Sequence, residues 1–327
     1  MVYCMLYRLE KITALKEQLD KLRPFPEAVL QNLEKWFEIE LTYSSNAIEG
    51  NTLTRHETAL VLEKGLTVGG KSMKDHLEAI NHRDAINLLN TIVKQDKVSM
   101  DDILRLHKII LKNIDDAGAG VIRNVPVRIS GSIVIMPNPL KLPKLLDEFN
   151  EWLQKNNEHP VIFAAMTHYK FVSIHPFVDG NGRTARLLMN LMLMRHGYPA
   201  AIIYPKNRLK YIKSLEKAQL GGSLEDYIQV ILQAVNHSLN IYLKAILNPP
   251  EEAQNINTLL KIGDLAKQAN ENIATIRYWV KMGLLKVATT TPSGYQLFEL
   301  SNVDKCKQIR QLQQKRYSLE EIFLLLT

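Results

Sequence analysis

Residues 175–186, with the sequence HPFVDGNGRTAR, bring together side chains that are suited to phosphate chemistry. The glycines allow close backbone approach, and the free N–H groups at the start of the apolar helix that follows favour an anion. Arg183 and Arg186 are spaced to follow a helical turn and could hold further phosphate oxygens. Asp179 is the only carboxylate in this loop, so it is the natural ligand for a phosphate-bound Mg²⁺. His175 is the only group in the loop that can take a proton near neutral pH.

These features predict a nucleotide-dependent transferase. The loop would bind phosphates and Mg²⁺ while His175 activates an incoming nucleophile. The alternative is a glycine-bearing turn before a buried helix. Such a turn requires neither the histidine nor the two arginines, so the transferase is the better interpretation.

The same loop resembles the signature of a known family. HPFVDGNGRTAR matches the HxFx[D/E]GNGRxxR motif of Fic-domain proteins at every specified position. Fic enzymes mostly transfer AMP from ATP to a hydroxyl of a target protein. The resemblance implies that His175 is the general base on a target Ser, Thr or Tyr and that Asp179 holds Mg²⁺. It also implies contacts with the α-phosphate side by Asn181 and the backbones of Gly180 and Gly182, with the β-phosphate by Arg183 and with the γ-phosphate by Arg186.

The identity of one loop residue bears on the type of transfer. A relative that phosphorylates its target has lysine at the position of Gly182. Glycine there favours nucleotidyl transfer over phosphoryl transfer.

A second match lies upstream, where residues 45–50 read SNAIEG. This resembles the [S/T]xxxE[G/N] motif of Fic proteins whose inhibitory helix is N-terminal to the core, with Ser45, Glu49 and Gly50 at the fixed positions. A carboxylate delivered to Arg186 would compete with the γ-phosphate for the same guanidinium. The alternative is a helix that is simply capped at its C-terminus by Gly50. In some family members the same glutamate supports removal of AMP, so hydrolytic reversal remains a third interpretation.

Residues 125–136, VPVRISGSIVIM, alternate around a Ser-Gly-Ser turn and predict a β-hairpin. In Fic proteins a hairpin here, the flap, docks the target backbone by strand addition. The alternative is a hairpin that is only structural. The sequence before it matches the family poorly, so Arg123 receives no role. The flap residues expected to dock a target are Val127, Ile129, Ile133 and Ile135.

Two further rings allow contrasting interpretations. Tyr211 lies where relatives place an aromatic residue against adenine, but core packing is an equal alternative. His168 lies on a helix that is apolar nearly all round, and it is predicted to be a hydrogen-bonded core histidine rather than a ligand.

The predicted fold class is mainly α, a helical Fic fold with a β-hairpin flap and a small winged helix-turn-helix domain. Amphipathic spacing predicts helices before the flap, and Ser99 is predicted to cap one of them. Prolines and polar residues in NPPEEAQNI indicate a boundary. The predicted divisions are an N-terminal helical Fic region with the inhibitory helix (1–95), a Fic catalytic core (96–247), a linker (248–257) and a MerR-like domain (258–327).

The C-terminal segment resembles the winged helix-turn-helix of the MerR family through IGDLA, TIRYW, GLL, SGYQLF and SLEEI. Such a module inserts its second helix into the major groove of DNA. The resemblance implies duplex DNA as a partner. Val280 and Gln296 depart from the family pattern and weaken the case for tight DNA binding. The alternative is a protein-docking module of the same fold. The residues implied to face DNA are Thr275, Arg277 and Tyr278, with Tyr295 near the wing.

Composition sets broad limits on the class of protein. A hydrophobic fraction of 46% and a charged fraction of 23% are typical of a globular protein. Residues 258–316 contain ten basic and four acidic side chains, so this segment carries most of the net charge of +7 and suggests a polyanionic partner. Two distant cysteines, with neither a signal peptide nor a membrane span, predict a cytoplasmic protein without membrane contact.

The leading interpretation is therefore a self-inhibited protein adenylyltransferase that uses Mg-ATP and modifies target proteins and itself. Family members with this inhibitory arrangement are often dimers, so a homodimer is expected. The main rival is a DNA-binding transcription regulator whose Fic site senses nucleotide.

Overall fold

The computed structural model describes residues 2–155, 157–248, 259–290, 295–315 and 317–326. The chain divides into two compact units, Met1–Leu247 and Asn248–Thr327. Almost all of the predicted linker, and the serine and glycine that begin the SGYQLF match near the wing, lie outside the described residues. Within the described part of the chain, no helix combines the length and the apolar character that a membrane crossing requires.

The first unit is a helical assembly. Two 3₁₀ turns, Pro139–Lys141 and Pro205–Asn207, precede its sixth and ninth helices. Its helices are α1 (Val2–Lys21), α2 (Glu27–Ile48), α3 (Arg55–Lys64), α4 (Met73–Ile92), α5 (Met100–Leu111), α6 (Leu142–Lys155), α7 (Pro160–Ile174), α8 (Asn181–Arg195), α9 (Arg208–Gln219) and α10 (Glu225–Leu247).

Local sequence explains where several of these helices begin. Helices α3, α4 and α5 each start with a capping box, in which a Ser or Thr and a downstream acid satisfy two backbone N–H groups reciprocally. The Ser99 cap predicted from the sequence is confirmed, because its hydroxyl accepts a hydrogen bond from the Asp102 N–H at 3.2 Å.

Helices α7 and α8 pack against each other at the centre of the core. Between them runs the loop 175–180, which belongs to the predicted phosphate site. Residues 181–193 of α8 are buried apart from Gly182, which is half-buried. The loop therefore projects from two helices that the core holds on nearly all sides. This mostly helical architecture confirms the predicted fold class.

The predicted flap hairpin is reduced in the structure to a turn closed by one antiparallel bridge, between Arg128 and Ile135. Val134 and Met136 are buried, whereas Ile133 and Ile135 are 75% and 80% exposed. Among the described residues of this unit no strand lies beside the segment. Without a neighbouring strand, only one ladder position forms, although the predicted alternation of side chains is present.

The second unit contains α11 (Ile262–Ala269), α12 (Ile273–Lys281), α13 (Ser301–Gln314) and α14 (Leu319–Leu326), with strands β1 (Leu260–Lys261), β2 (Thr289–Thr290) and β3 (Gln296–Phe298). The antiparallel sheet has the order β1-β3-β2 and pairs Leu260 with Phe298 and Thr289 with Leu297. Trp279 and Phe298 are buried in a separate core. Two helices followed by a paired wing agree with the predicted winged helix-turn-helix.

Candidate active site

His175 ends helix α7 in the left-handed backbone conformation, with φ of 50°. Its Nδ1 lies 3.2 Å from the Val172 carbonyl oxygen, which can only accept, so Nδ1 carries the proton in the neutral ring. Nε2 is then the basic atom. Burial lowers the pKa of His175, with the Val172 carbonyl opposing the shift and Arg123 contributing to it. The ring is therefore neutral near pH 7, as a general base must be.

Helix α8 begins at Asn181, directly after Gly180 in the left-handed region at φ of 77°. Its first N–H groups have no partner within the helix, because the first intrahelical bond runs from the Thr184 N–H to the Gly180 carbonyl at 3.0 Å. This end of the helix can therefore hold an anion.

Arg183 lies 2% exposed in the first turn of α8. Its Nη1 is 3.1 Å from Glu78 Oε1, an ion pair without hydrogen-bond geometry, and its Nη2 is 3.5 Å from Asp179 Oδ2. The Nε and Nη1 donors of Arg183 are buried without a hydrogen-bond partner. Such orphaned donors in a cationic group fit an anionic ligand.

Arg186, one turn later, is held by the C-terminal end of α2. Its Nε donates to Ser45 Oγ at 3.0 Å, and its Nη2 donates to the Ser45 carbonyl at 2.9 Å and to Glu49 Oε1 at 2.8 Å. Burial opposes the charge on Arg186, but the Glu49 carboxylate and Tyr211 together outweigh it, and the pKa of Arg186 is raised. The predicted contact between Glu49 and Arg186 is present.

The end of α2 is fixed by further contacts. The Ile48 carbonyl accepts a hydrogen bond from Arg208 Nε at 2.6 Å, and Asn46 Nδ2 donates to the Glu78 carbonyl at 3.1 Å. Gly50 follows with φ of 101°, a conformation that lets the chain turn away from the helix. Glu49 is thus held in a well-fixed segment. Through Asn46, this segment also contacts Glu78 of α4, which forms the ion pair with Arg183.

The side chain of Asn181 contacts its own loop. Its Nδ2 donates to the Phe177 carbonyl at 2.9 Å, and its Oδ1 accepts from the Phe177 N–H at 3.0 Å. The side chain therefore closes the loop on itself, while the backbone N–H of Asn181 is among the first N–H groups of α8.

Tyr211 does not lie against an open base-binding surface. It is 1% exposed, and its hydroxyl is 2.7 Å from His168 Nε2, while Tyr227 contacts the other ring nitrogen of His168 at 2.9 Å. Of the two interpretations of Tyr211, the structure agrees with core packing, because the ring and its hydroxyl are both used inside the core. The prediction of a satisfied core histidine at His168 is confirmed.

Two buried residues that shape the site were not identified from the sequence. The first is His107 of α5, whose Nδ1 accepts from the Gly120 N–H at 2.9 Å while its Nε2 lies 2.9 Å from the Asp179 carbonyl oxygen. Its ring stacks on Phe177 at 3.5 Å between centroids. Burial lowers the pKa of His107 to about 4, so the neutral ring holds the loop. The available signal in the sequence was a histidine, His107, among the apolar residues of the buried face of α5.

The second is Arg123, which is 4% exposed. Its side chain donates to three carbonyls, those of His175 at 2.8 Å, Val125 at 2.9 Å and Pro137 at 2.8 Å. It therefore ties both ends of the flap to the residue that carries the base. The available signal was the loose match of the sequence before the flap to the family, from which no role was assigned to Arg123.

The predicted metal ligand, Asp179, lies at the mouth of the loop with its side chain 57% exposed. Its Oδ1 accepts from the Gly180 N–H at 2.6 Å. Among the described residues no cluster of three His, Cys, Asp or Glu side chains forms a metal site. One exposed carboxylate beside an anion-binding helix end does fit a Mg²⁺ that arrives with phosphate oxygens as its other ligands.

In the second unit, the predicted DNA-facing residues lie on or near α12. Arg277 is exposed and Tyr278 is 51% exposed, whereas the Thr275 hydroxyl donates to the Asn272 cap at 2.9 Å. Tyr295 is 63% exposed beside β3. Arg277 and Tyr278 are thus accessible on the predicted recognition helix.

Comparison with known proteins agrees with this site. The profile of the Fic/DOC family matches residues 97–193, and that of the MerR HTH family regulatory protein matches residues 260–327. The chain is 36% identical over 270 residues to the protein adenylyltransferase Fic of Drosophila grimshawi, covering 81% of this chain and 55% of that protein. The counterpart from Drosophila mojavensis is 38% identical over 248 residues, 74% of this chain and 49% of that protein. The chain thus spans about half the length of these curated relatives.

Solved structures give a more complete overlap. Fic-1 (aa134 - 508) from C. elegans is 32% identical, with a TM-score of 0.70 over 76% of this chain and 74% of that chain. A Fic domain containing signaling protein from Bacteroides thetaiotaomicron is 28% identical, with a TM-score of 0.67 over 73% of this chain and 97% of that chain. With the loop, the fold and these relatives in agreement, the chain belongs to the Fic/DOC family.

Proposed function

We propose that the protein is an adenylyltransferase that transfers AMP from Mg-ATP to Ser, Thr or Tyr hydroxyls of target proteins, and of itself, and that Glu49 inhibits it. The observation that carries this proposal is the Glu49 carboxylate on Arg186, 2.8 Å away, at the start of the helix that follows the catalytic loop. The name of the Drosophila relatives, protein adenylyltransferase Fic, supports the same activity.

In this reaction the target hydroxyl oxygen attacks the α-phosphorus of ATP and pyrophosphate leaves. Nε2 of His175 takes the hydroxyl proton, since Nδ1 already carries one. The N–H groups at the start of α8 and the unsatisfied Arg183 donors stabilise the negative charge that develops on phosphate oxygens. Asp179 would hold Mg²⁺, which supplies further neutralisation of that charge.

Inhibition follows from competition for Arg186. A γ-phosphate that binds Arg186 must displace Glu49, because the carboxylate and the phosphate seek the same guanidinium. With Glu49 in place, ATP can bind only with its phosphates displaced from the productive position. Removal of the carboxylate should therefore raise transfer.

The test uses ATP labelled at the α-phosphate together with Mg²⁺. We compare wild type, Glu49→Gly and the double variant Glu49→Gly/His175→Ala. We expect protein labelling to rise in Glu49→Gly and to disappear in the double variant. This result would support AMP transfer, His175 as its base and Glu49 as its inhibitor. Equal or lower labelling of Glu49→Gly than of wild type contradicts inhibition, and failure to label any variant contradicts transfer from ATP.

A second candidate function is nucleotide-sensing regulation of transcription. It is favoured by the MerR match over residues 260–327 and by the exposed Arg277 and Tyr278 on α12. His175→Ala separates the two functions in cells: a phenotype that survives the substitution indicates regulation rather than transfer. In this proposal duplex DNA is a partner of the second unit.

A bifunctional enzyme that also removes AMP is the third possibility, with Glu49 needed for hydrolysis. Incubation of AMP-modified protein with wild type and Glu49→Gly tests it, since only wild type would release AMP. A homodimer and a cytoplasmic location complete the proposal and are tested by analytical ultracentrifugation and cell fractionation.

A further inference from the structure

Besides its contact with the end of α2, helix α9 contacts two other parts of the candidate site, the flap and α7. Near its C-terminal end, Glu216 Oε1 accepts hydrogen bonds from the Ser132 hydroxyl at 2.7 Å and from the Ile133 N–H at 3.2 Å. One turn later, Gln219 Nε2 donates to the hydroxyl of Ser173 at 3.2 Å, two residues before His175. A single helix therefore contacts both the tip of the flap and the end of the helix that carries the base.

The other contacts at the tip of the flap are local. One bridge and the hydrogen bond from the Ser132 N–H to the Ile129 carbonyl at 3.1 Å close the turn, and Ile133 and Ile135 are mostly exposed. Ser132 relays the Glu216 contact, since its Oγ also accepts from the Val134 N–H at 3.2 Å. Arg123 fixes the base of the flap through Val125 and Pro137, whereas Glu216 fixes its tip.

The Glu216 contact is charge-assisted, because the hydrogen bonds from Ser132 and Ile133 lower the pKa of this carboxyl. Charged hydrogen bonds are stronger and more directional than neutral ones. The carboxylate therefore favours the position of the flap tip in which both hydrogen bonds form.

We propose that Glu216 is a positioning residue that holds the flap edge in register with His175, so that AMP is directed to a docked protein hydroxyl rather than to water. This inference rests on the proposed adenylyl transfer and on docking of targets along the flap. When the flap tip is loose, ATP still binds at α8 and His175 still accepts a proton. Water then replaces the target hydroxyl as the nucleophile, attacks the α-phosphorus, gives its proton to His175 and releases AMP and pyrophosphate.

The experiment measures how labelled AMP is divided between protein and solution. All variants carry Glu49→Gly, and the compared substitutions are Glu216→Ala, Glu216→Gln and, as a matched control on the exposed face of α1, Glu10→Ala. For Glu216→Ala we expect the ratio of protein-bound to free AMP to fall about tenfold, because the substitution removes both hydrogen bonds to the flap tip. Total ATP consumption should stay within about twofold, because the phosphate contacts are unchanged.

Glu216→Gln should retain most of the ratio, because its amide oxygen can accept the same two hydrogen bonds. Equal loss of both products in Glu216→Ala would indicate a structural role only, and an unchanged ratio would overturn the proposal. Hydrogen exchange of residues 125–136 supplies a readout without nucleotide: exchange should rise in Glu216→Ala and not in Glu10→Ala. If the Glu49→Gly parent forms neither protein-bound nor free AMP, the proposed adenylyl transfer is wrong. If hydrogen exchange of residues 125–136 is unchanged in Glu216→Ala, Glu216 does not fix the flap, whatever the outcome for transfer.

Discussion

The carboxylate of Glu49 lies directly over the backbone of Gly182, so closely that a β-carbon on Gly182 would overlap Oε1. A larger residue at this position would force the Glu49 carboxylate to shift from the place where it contacts Arg186. The absence of a side chain at Gly182 therefore gives both a phosphate and the Glu49 carboxylate access to the start of α8.

This relationship predicts that the effect of Gly182→Ala depends on Glu49. In wild type the new methyl group collides with the carboxylate and should lower the free energy of unfolding by about 2 kcal/mol. In the Glu49→Gly background the collision is gone, and helix propensity should make the substitution neutral or stabilising by up to about 1 kcal/mol. Urea unfolding of the four proteins measures the coupling. Equal effects in both backgrounds would show that the two residues do not interact.

A second prediction concerns Arg123, which satisfies three backbone carbonyls. Arg123→Lys can satisfy fewer of them and should lower the free energy of unfolding by about 2 kcal/mol, since buried acceptors lose their partners. Transfer by the Glu49→Gly protein should fall as well, because the flap and His175 lose their common anchor. Arg128→Lys, at an exposed position of the flap, is the control. A stable and fully active Arg123→Lys protein would rule out the anchoring role.

The buried histidines predict a loss of stability in mild acid. Burial is the main cause that lowers the pKa of His82 and His168 to about 3 and that of His107 to about 4. The contribution of these neutral histidines to the free energy of unfolding is complete above the unfolded pKa of about 6.5. It is lost as the pH falls towards the folded pKa values, because between the two values only the unfolded chain binds protons. By about pH 5 each histidine should cost up to about 2 kcal/mol.

The measurement is the change in unfolding free energy between about pH 7 and about pH 5. His107→Phe should reduce that change by up to about 2 kcal/mol, since one buried titrating group is removed. His56→Asn, at an exposed position of α3, should leave the change as it is in wild type. A pH dependence that is identical in all three proteins contradicts the assignment.

A fourth prediction concerns Arg208, which donates to the Ile48 carbonyl at the end of the inhibitory helix. Arg208→Ala should loosen this end and weaken the hold of Glu49 on Arg186, so that self-labelling with ATP exceeds wild type but stays below Glu49→Gly. Lys210→Ala, on an exposed part of the same helix, should label as wild type does. Labelling of Arg208→Ala at or below the wild-type level would show that Arg186 alone retains Glu49.

The fifth prediction tests DNA binding by the second unit. A duplex should be shifted at low salt, and Arg277→Ala should weaken the shift, since the guanidinium is exposed on α12. Binding should weaken as salt rises, because phosphate contacts release counterions. Arg195→Ala, in the first unit, is the control. Absence of any shift at low salt would favour the protein-docking alternative.

The site illustrates which features can be predicted from a sequence and which cannot. The loop from His175 to Arg186 is local and dense in functional groups, so its position before a buried helix could be predicted. Its supports could not, because Arg123 and His107 act through backbone groups far along the chain. For Tyr211 the sequence left core packing and stacking on adenine as equal alternatives, because an aromatic residue on α9 suits both. Burial of the ring and the hydroxyl contact with His168 favour the core.

The contact between Arg186 and Glu49 joins positions that are 137 residues apart, with the inhibitory residue nearer the N-terminus. A ribosome therefore completes α2 before it begins the catalytic loop. Because domains generally fold as units during synthesis, with N-terminal segments emerging first, Glu49 is present whenever α8 closes the core. Under the proposed inhibition, the loop would meet Glu49 as soon as it folds, and transfer of AMP to neighbouring nascent chains on the polysome would be suppressed from the start.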